Sequence, residues 1–296
     1  MTDNTTGRLD RQTWMSNVLD IDKLKLTDIV WPGAHNAGMD KQAPNDSALV
    51  GHWTNCQNDT FAFQLANGAR AFDIRLGHDT DADQPGFYFH HNGYRSGRVL
   101  DELIEALLSF LDRNPDEFIV LDFHQLADGD KSFDFKKLSD HLVRRLGPRT
   151  ILPIDGYNTV AQLKRSSPYR RIVMAAPAHP DMDGQYFWWR ITHKWHGQAF
   201  TSTTQLHLHI ATTLADAPYD GFLWALSATC YSLLGGPQDI KHQINDWFST
   251  TRSWVTRCSI ISTDFFEESD IVRYCWSASS MKAVYGHSLH EPTGSR

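Results

Sequence analysis

LDELIEALLSFLDRNPDEFIVLDF, residues 100–123, decides the fold. Leu100, Leu103, Ile104, Leu107, Leu108 and Leu111 recur at the three- and four-residue spacing of one helical face, which predicts a helix over Leu100–Leu111. Asn114-Pro115 ends it, because proline lacks a backbone N–H and holds the residue before it in an extended conformation. Phe118–Phe123 follows as a short β-branched and aromatic run, predicted to be a buried strand. Similar runs stand at Asp28–Trp31, Ala71–Leu76, Phe87–His90, Arg171–Ala175, Phe222–Leu226 and Ser259–Ser262, with further helical patterns over Phe135–Leu146 and Ile240–Phe248. Strand, helix and strand in that order imply a parallel crossover, and several such units imply a parallel sheet or a closed α/β barrel. At 296 residues the chain suits one large barrel. A single domain over residues 1–296 is expected, with its core at about residues 26–286. Tyr186 to Trp195 resists assignment: its aromatic residues fit a long loop folded back on the core, or a rim in which Trp188 and Trp189 touch lipid or ligand. The small, polar stretch His287–Arg296 is expected to fray.

Hydrophobic residues make up 41% and charged residues 21% of the chain, enough apolar material for a sizeable core and too little charge imbalance for disorder. The net charge of −7 argues against broad binding to nucleic acid, so any membrane contact is expected to be local and apolar. Met1 to Lys25 lacks the apolar core of a signal peptide, and no stretch approaches the ~20 apolar residues that span a bilayer. The expectation is a soluble monomer, cytoplasmic or exported by another route. Cys56, Cys230, Cys258 and Cys275 form no CxxC pair, so buried free thiols are expected rather than a zinc site or disulfide framework.

Polar residues interrupt the apolar runs in a recurring place, at or just after a strand's C-terminal end. His35 follows residues 29–33; Asp73 and Arg75 close Ala71–Leu76; His90 and His91 follow residues 87–89; His124 follows residues 119–123; Asp264 follows residues 260–263. In a parallel α/β barrel these ends open onto one face, where active sites of such barrels lie. Any one histidine reads most simply as a hydrogen-bonded structural residue, whereas several placed by one topological rule point to a site. Two imidazoles, a carboxylate and a guanidinium suffice for phosphodiester cleavage by an internal hydroxyl, one ring removing a proton and the other supplying one. An arginine can span two oxygens of the transition state and stays charged throughout.

The blocks Trp31 to Gly38 (WPGAHNAG), Gly68 to Arg75 (GARAFDIR), His90 to Gly93 (HHNG) and Asn114 to Phe123 (NPDEFIVLDF) resemble, in order, the signature blocks of the phosphatidylinositol-specific phospholipase C X domain. The likeness is greatest to bacterial metal-independent enzymes and to X-domain-only proteins, and it weakens between Pro177 and Gly221. The resemblance implies an irregular, imperfectly closed TIM-type (β/α)8 barrel that cuts phosphatidylinositol at a membrane surface into diacylglycerol and inositol 1,2-cyclic phosphate. It implies His35 as general base, Asp264 as the carboxylate behind it, His91 as general acid, Arg75 in the place of calcium, and Asp73 as an orienting carboxylate. No cofactor and no metal is expected. Asn36 departs from the Asp that bacterial relatives place there beside the general acid, so Asn36→Asp is expected to be tolerated. His124 stands where those enzymes bind inositol through a lysine. Asn36, His124, Trp188 and Trp189 are the expected substrate contacts. A metal-dependent glycerophosphodiester phosphodiesterase would need a spaced acidic pair in place of Phe72-Asp73-Ile74-Arg75, and a non-catalytic inositide-binding module would not need a base–carboxylate pair.

Overall fold

A computed structural model describes residues 9–44, 51–79, 86–218, 221–233, 235–249 and 253–286; the stretch His287–Arg296 lies outside them. The strands in chain order are β1 (Trp31–Ala34), β2 (Ala71–His78), β3 (Phe87–His91), β4 (Tyr94–Val99), β5 (Ile119–Leu126) and β6 (Ile172–Ala176). β7 (Phe187–Trp189), β8 (Thr192–Lys194), β9 (Trp224–Ser227), β10 (Tyr231–Ser232), β11 (Gly236–Pro237) and β12 (Ile260–Thr263) follow. Eight of them lie side by side in the order β7, β6, β5, β2, β1, β12, β9, β8, and every ladder on this path is parallel. The two ends of the path are consecutive in the chain, separated by Arg190 and Ile191. The sheet thus curls until its edges meet at one segment, with no ladder joining β7 to β8 among the described residues, which is the imperfectly closed barrel expected.

The aromatic segment that resisted assignment is this closing segment: Phe187 is buried, Trp188 half-buried and Trp189 exposed. Sequence boundaries were displaced at the first strand, where the ladder begins at Trp31 rather than Asp28. Residues 87–91 are not a barrel strand: β3 pairs antiparallel with the far end of β2 and with β4, an appended hairpin. β2 is long enough to carry it because Leu76 to His78 extend past the barrel mouth.

Two of the crossover helices behave as their patterns predict. The helix Leu100–Arg113 buries Leu100, Leu103, Ile104, Leu107 and Leu111, with Phe110 taking the deep position expected of Leu108. The Glu102 carboxylate accepts a hydrogen bond from the Val99 N–H at 3.3 Å and so closes its first turn. The helix Phe135–Leu146 starts at Asp134, whose carboxylate accepts from Lys137 N–H at 2.8 Å. Two glycines of the signature blocks are fixed by contact. A Cβ on Gly38 would lie 2.1 Å from the Phe89 ring, and Gly68, at φ +103°, would bring one within 2.7 Å of Val272. Cys56, Cys230, Cys258 and Cys275 are buried free thiols.

Candidate active site

β1 and β12 are paired in register, Ala34 beside Thr263, so the residues that follow them emerge together at the mouth. His35 Nδ1 lies 2.8 Å from Asp264 Oδ1, and the His35 N–H donates to the Thr263 carbonyl at 3.1 Å. Gln57 Nε2 donates to the carbonyls of both His35, at 2.8 Å, and Thr263, at 3.1 Å, clamping the two strand ends. On β2, Asp73 and Arg75 are two residues apart and share a face. The guanidinium holds the carboxylate through Nε at 3.2 Å and Nη2 at 2.8 Å. The same Nη2 lies 2.8 Å from His35 Nε2. A guanidinium can only donate, so Nε2 must accept and the ring proton must sit on Nδ1, donated to Asp264. This is the tautomer a base needs, with its lone pair turned to the cavity.

His91 reaches the same mouth because β3 runs back antiparallel along the end of β2. Its Nδ1 donates to the Thr54 carbonyl at 3.3 Å. The His35 and His91 rings stand 6.5 Å apart at 89°, and Tyr231 on β10 meets both edge-on, at 6.1 and 5.8 Å. The Tyr231 hydroxyl is 3.4 Å from His35 Nδ1 and 3.3 Å from Cys56 Sγ. His90 points to the opposite face, fully buried, its nearest carboxylate the Asp128 oxygen 3.7 Å away.

Burial alone would raise the Asp73 carboxyl, but Arg75, with His124 and His35, outweighs it and holds the group well below the usual carboxylate range. Burial lowers His91 to about 3, with Arg75 and His35 pushing the same way, so the ring is neutral in the free protein. Burial likewise lowers His124 to about 4. His193 goes the other way: burial would lower it, yet the Asp122 carboxylate 2.5 Å from its Nε2 raises it. Tyr231 is pushed up by burial and by Asp264, and stays a neutral phenol able to donate.

A cavity of about 400 Å³ opens over these groups, lined in part by His35, Arg75, His91, His124, His193 and Tyr231. Of the residues expected from the sequence, His35, Asp73, Arg75, His91, Asp264 and His124 are gathered around it. Trp188 and Trp189 are not. The Trp188 indole donates to the Ile151 carbonyl at 2.8 Å and packs on Gly156, while Trp189 is 79% exposed; both line a separate apolar cavity with Thr27, Pro153 and Leu223.

Asn36 is also displaced from its expected role. It sits at φ +42°, fully buried, with its N–H donating to Asp73 Oδ2 at 3.1 Å. Its side-chain amide has no hydrogen-bond partner among the described residues, and the partner of His91 is Thr54 instead. A carboxylate here would be buried against Asp73, so the tolerance expected for Asn36→Asp does not carry over. The variant is expected to be less stable at neutral pH by on the order of 1–3 kcal/mol, because an unpaired carboxylate costs more to bury than the neutral amide it replaces. Urea unfolding at neutral pH checks this; an unchanged midpoint would contradict the buried position.

Asp122, His193, Gln57 and Tyr231 were not picked out by sequence reasoning. Asp122 was detectable, since it stands two residues before His124 on the same strand and must share its face. The other three come from a loop and from two strands too short to carry a pattern.

No family model matches the chain. It is 30% identical over 141 residues to PI-PLC X domain-containing protein 2 of Homo sapiens, covering 40% of this chain and 45% of that protein. Over 301 residues it is 25% identical to the Mus musculus protein of the same name, covering 89% and 86% respectively. It is also 28% identical over 204 residues to the variant-surface-glycoprotein phospholipase C of Trypanosoma cruzi. The matches to the human and trypanosome proteins span about half of their lengths, 45% and 51%. Among solved structures, the phosphatidylinositol-specific phospholipase C of Listeria monocytogenes superposes with a TM-score of 0.70 at 17% identity, covering 91% of this chain and 98% of that one. The corresponding S. aureus enzyme gives 0.64 at 14%, covering 91% and 97%. These structural likenesses show a shared barrel.

Proposed function

From a chain that resembles the PI-PLC X-domain family in both sequence and fold, we propose a metal-independent phosphatidylinositol-specific phospholipase C. The carrying observation is the His35–Asp264 pair facing His91 across one cavity, with Arg75 between the carboxylate of Asp73 and the base. His35 Nε2 takes the proton of the inositol 2-hydroxyl, whose oxygen attacks phosphorus. His91, protonated, gives its proton to the departing diacylglycerol oxygen as that P–O bond breaks, leaving inositol 1,2-cyclic phosphate. Arg75 turns from His35 to two phosphoryl oxygens, where its charge opposes the charge developing there. Burial is the main reason His91 is neutral and the Arg75 charge the second; the anionic diester, once beside Arg75, offsets that second cause and favours the protonated acid. Tyr94, Trp195 and Phe200 are half or more exposed near the mouth, an apolar rim suited to a lipid surface for a chain of net charge −7. Among the described residues no helix is long and apolar enough to cross a membrane.

Phosphorus NMR of phosphatidylinositol turnover tests this reading. The cyclic phosphate should appear first, at a rate unchanged by excess EDTA. A rate lost to EDTA and restored by calcium would remove Arg75 from the ion's place. Binding without turnover would favour an inositide-binding module.

A further inference from the structure

Asp122, His124 and His193 form a second polar cluster around the same cavity, one that the proposed chemistry leaves unused. Asp122 and His124 share a face of β5, and His193 comes across from β8. One donor atom of each lies within 4.8 Å of the other two. The two imidazoles overlap at 3.8 Å between ring centroids, tilted by 33°, and His193 Nε2 is 2.5 Å from Asp122 Oδ2. His124 Nδ1 is buried with no hydrogen-bond partner among the described residues. Most buried ring nitrogens in proteins find a partner. Here the unpaired nitrogen belongs to a cluster whose two imidazoles and one carboxylate bring their donor atoms together, the chemistry of a metal ligand set.

We propose that Asp122, His124 and His193 bind one divalent transition ion of the zinc class, with its remaining coordination positions open to the cavity. Two imidazoles and one carboxylate select zinc, cobalt or nickel over calcium and magnesium, which take oxygen ligands. The nearby Arg75 charge does not forbid the ion, because Asp73 already matches it through two hydrogen bonds. The ion replaces the proton joining His193 Nε2 to Asp122 Oδ2, and these atoms part to the roughly 3.3 Å set by tetrahedral bonds of about 2.0–2.1 Å. The group His35, Cys56 and Asp264 also brings three donors together. It is a poorer site, since burial pushes the Cys56 thiol well up and Arg75 occupies His35 Nε2. An ion at the Asp122 cluster intrudes on the substrate cavity and blocks turnover. That consequence rests on the phospholipase reading; the binding itself does not.

Cobalt titrated into the EDTA-stripped full chain, followed by visible absorption, is the test. One equivalent should bind, displaceable by zinc. Asp122→Asn and His193→Gln should weaken it by more than the roughly 10–100-fold that loss of a supporting outer partner brings. Cys56→Ser should bind as the parent does. Should Asp122→Asn not fold by circular dichroism, His124→Gln provides the same reading at a partly exposed position. Absence of a saturable band, equal affinity in all ligand variants, or a thiolate band lost in Cys56→Ser would overturn the site. Zinc should also suppress phosphatidylinositol turnover while calcium does not, and bound zinc without suppression would overturn the blocking role. If the zinc-free protein does not turn over the lipid but binds cobalt as described, the phospholipase reading falls and the metal site stands.

Discussion

Replacing His35 or His91 by alanine is expected to lower phosphatidylinositol turnover by about 10²–10⁴-fold each, with a much smaller change in KM. His35 has its Nδ1 proton committed to Asp264 and its Nε2 lone pair turned to Arg75 at the mouth, the arrangement a base needs once Arg75 moves to the phosphoryl group. His91 stands across the cavity with Nδ1 committed to Thr54, leaving Nε2 for the leaving oxygen. Steady-state kinetics of both variants, with circular dichroism to establish folding, make the comparison. His90→Ala is the control: its ring is fully buried on the other face of β3, and its removal should act through stability rather than kcat. A folded His90→Ala protein with the larger loss in kcat would reverse the assignment of the adjacent pair.

Arg75→Lys is expected to lose most of kcat with a lesser effect on binding, because an ammonium cannot span two phosphoryl oxygens while holding Asp73 through two nitrogens. Near-parental kcat would reduce Arg75 to a source of positive potential. Arg75→Gln separates charge from geometry by a second route. Burial is the main reason His91 sits near 3, and the Arg75 charge is the next. Removing a neighbouring positive charge favours the imidazolium, so the His91 pKa should rise in Arg75→Gln and stay low in Arg75→Lys. Heteronuclear NMR of the His91 ring across pH 3–8 reads this directly, independent of substrate. A His91 pKa that ignores both substitutions would place it outside the field of Arg75.

The barrel was legible because its strands and crossover helices follow two plain periodicities, as in Leu100–Arg113 and Ile119–Leu126. The run Phe87–His90 reads as one more strand of the parallel set, but pairs antiparallel in an appended hairpin, because an apolar run carries no information about which partner it pairs with or in which direction. The strand-end rule placed His35, Asp73, Arg75, His124 and Asp264 around one mouth, and it reached His91 although β3 is not a barrel strand. It could not place Trp188 and Trp189, whose direction depends on how β7 meets β6. Nor could it see that Asn36 is turned inward, which depends on a left-handed backbone at one residue. His193 and Tyr231 lie on strands of three and two residues, too short for any alternation to show.

Pairing of β1 with β12 brings together side chains 229 positions apart in the chain. His35 is therefore synthesised well before its carboxylate partner. During translation it has no Asp264 to fix its tautomer until β12 has also left the ribosome. A chain arrested before residue 260 lacks the strand that lies against β1 as well as the partner of its base. Any chemistry that needs the pair is thus confined to chains that extend through β12, and shorter nascent fragments would lack it.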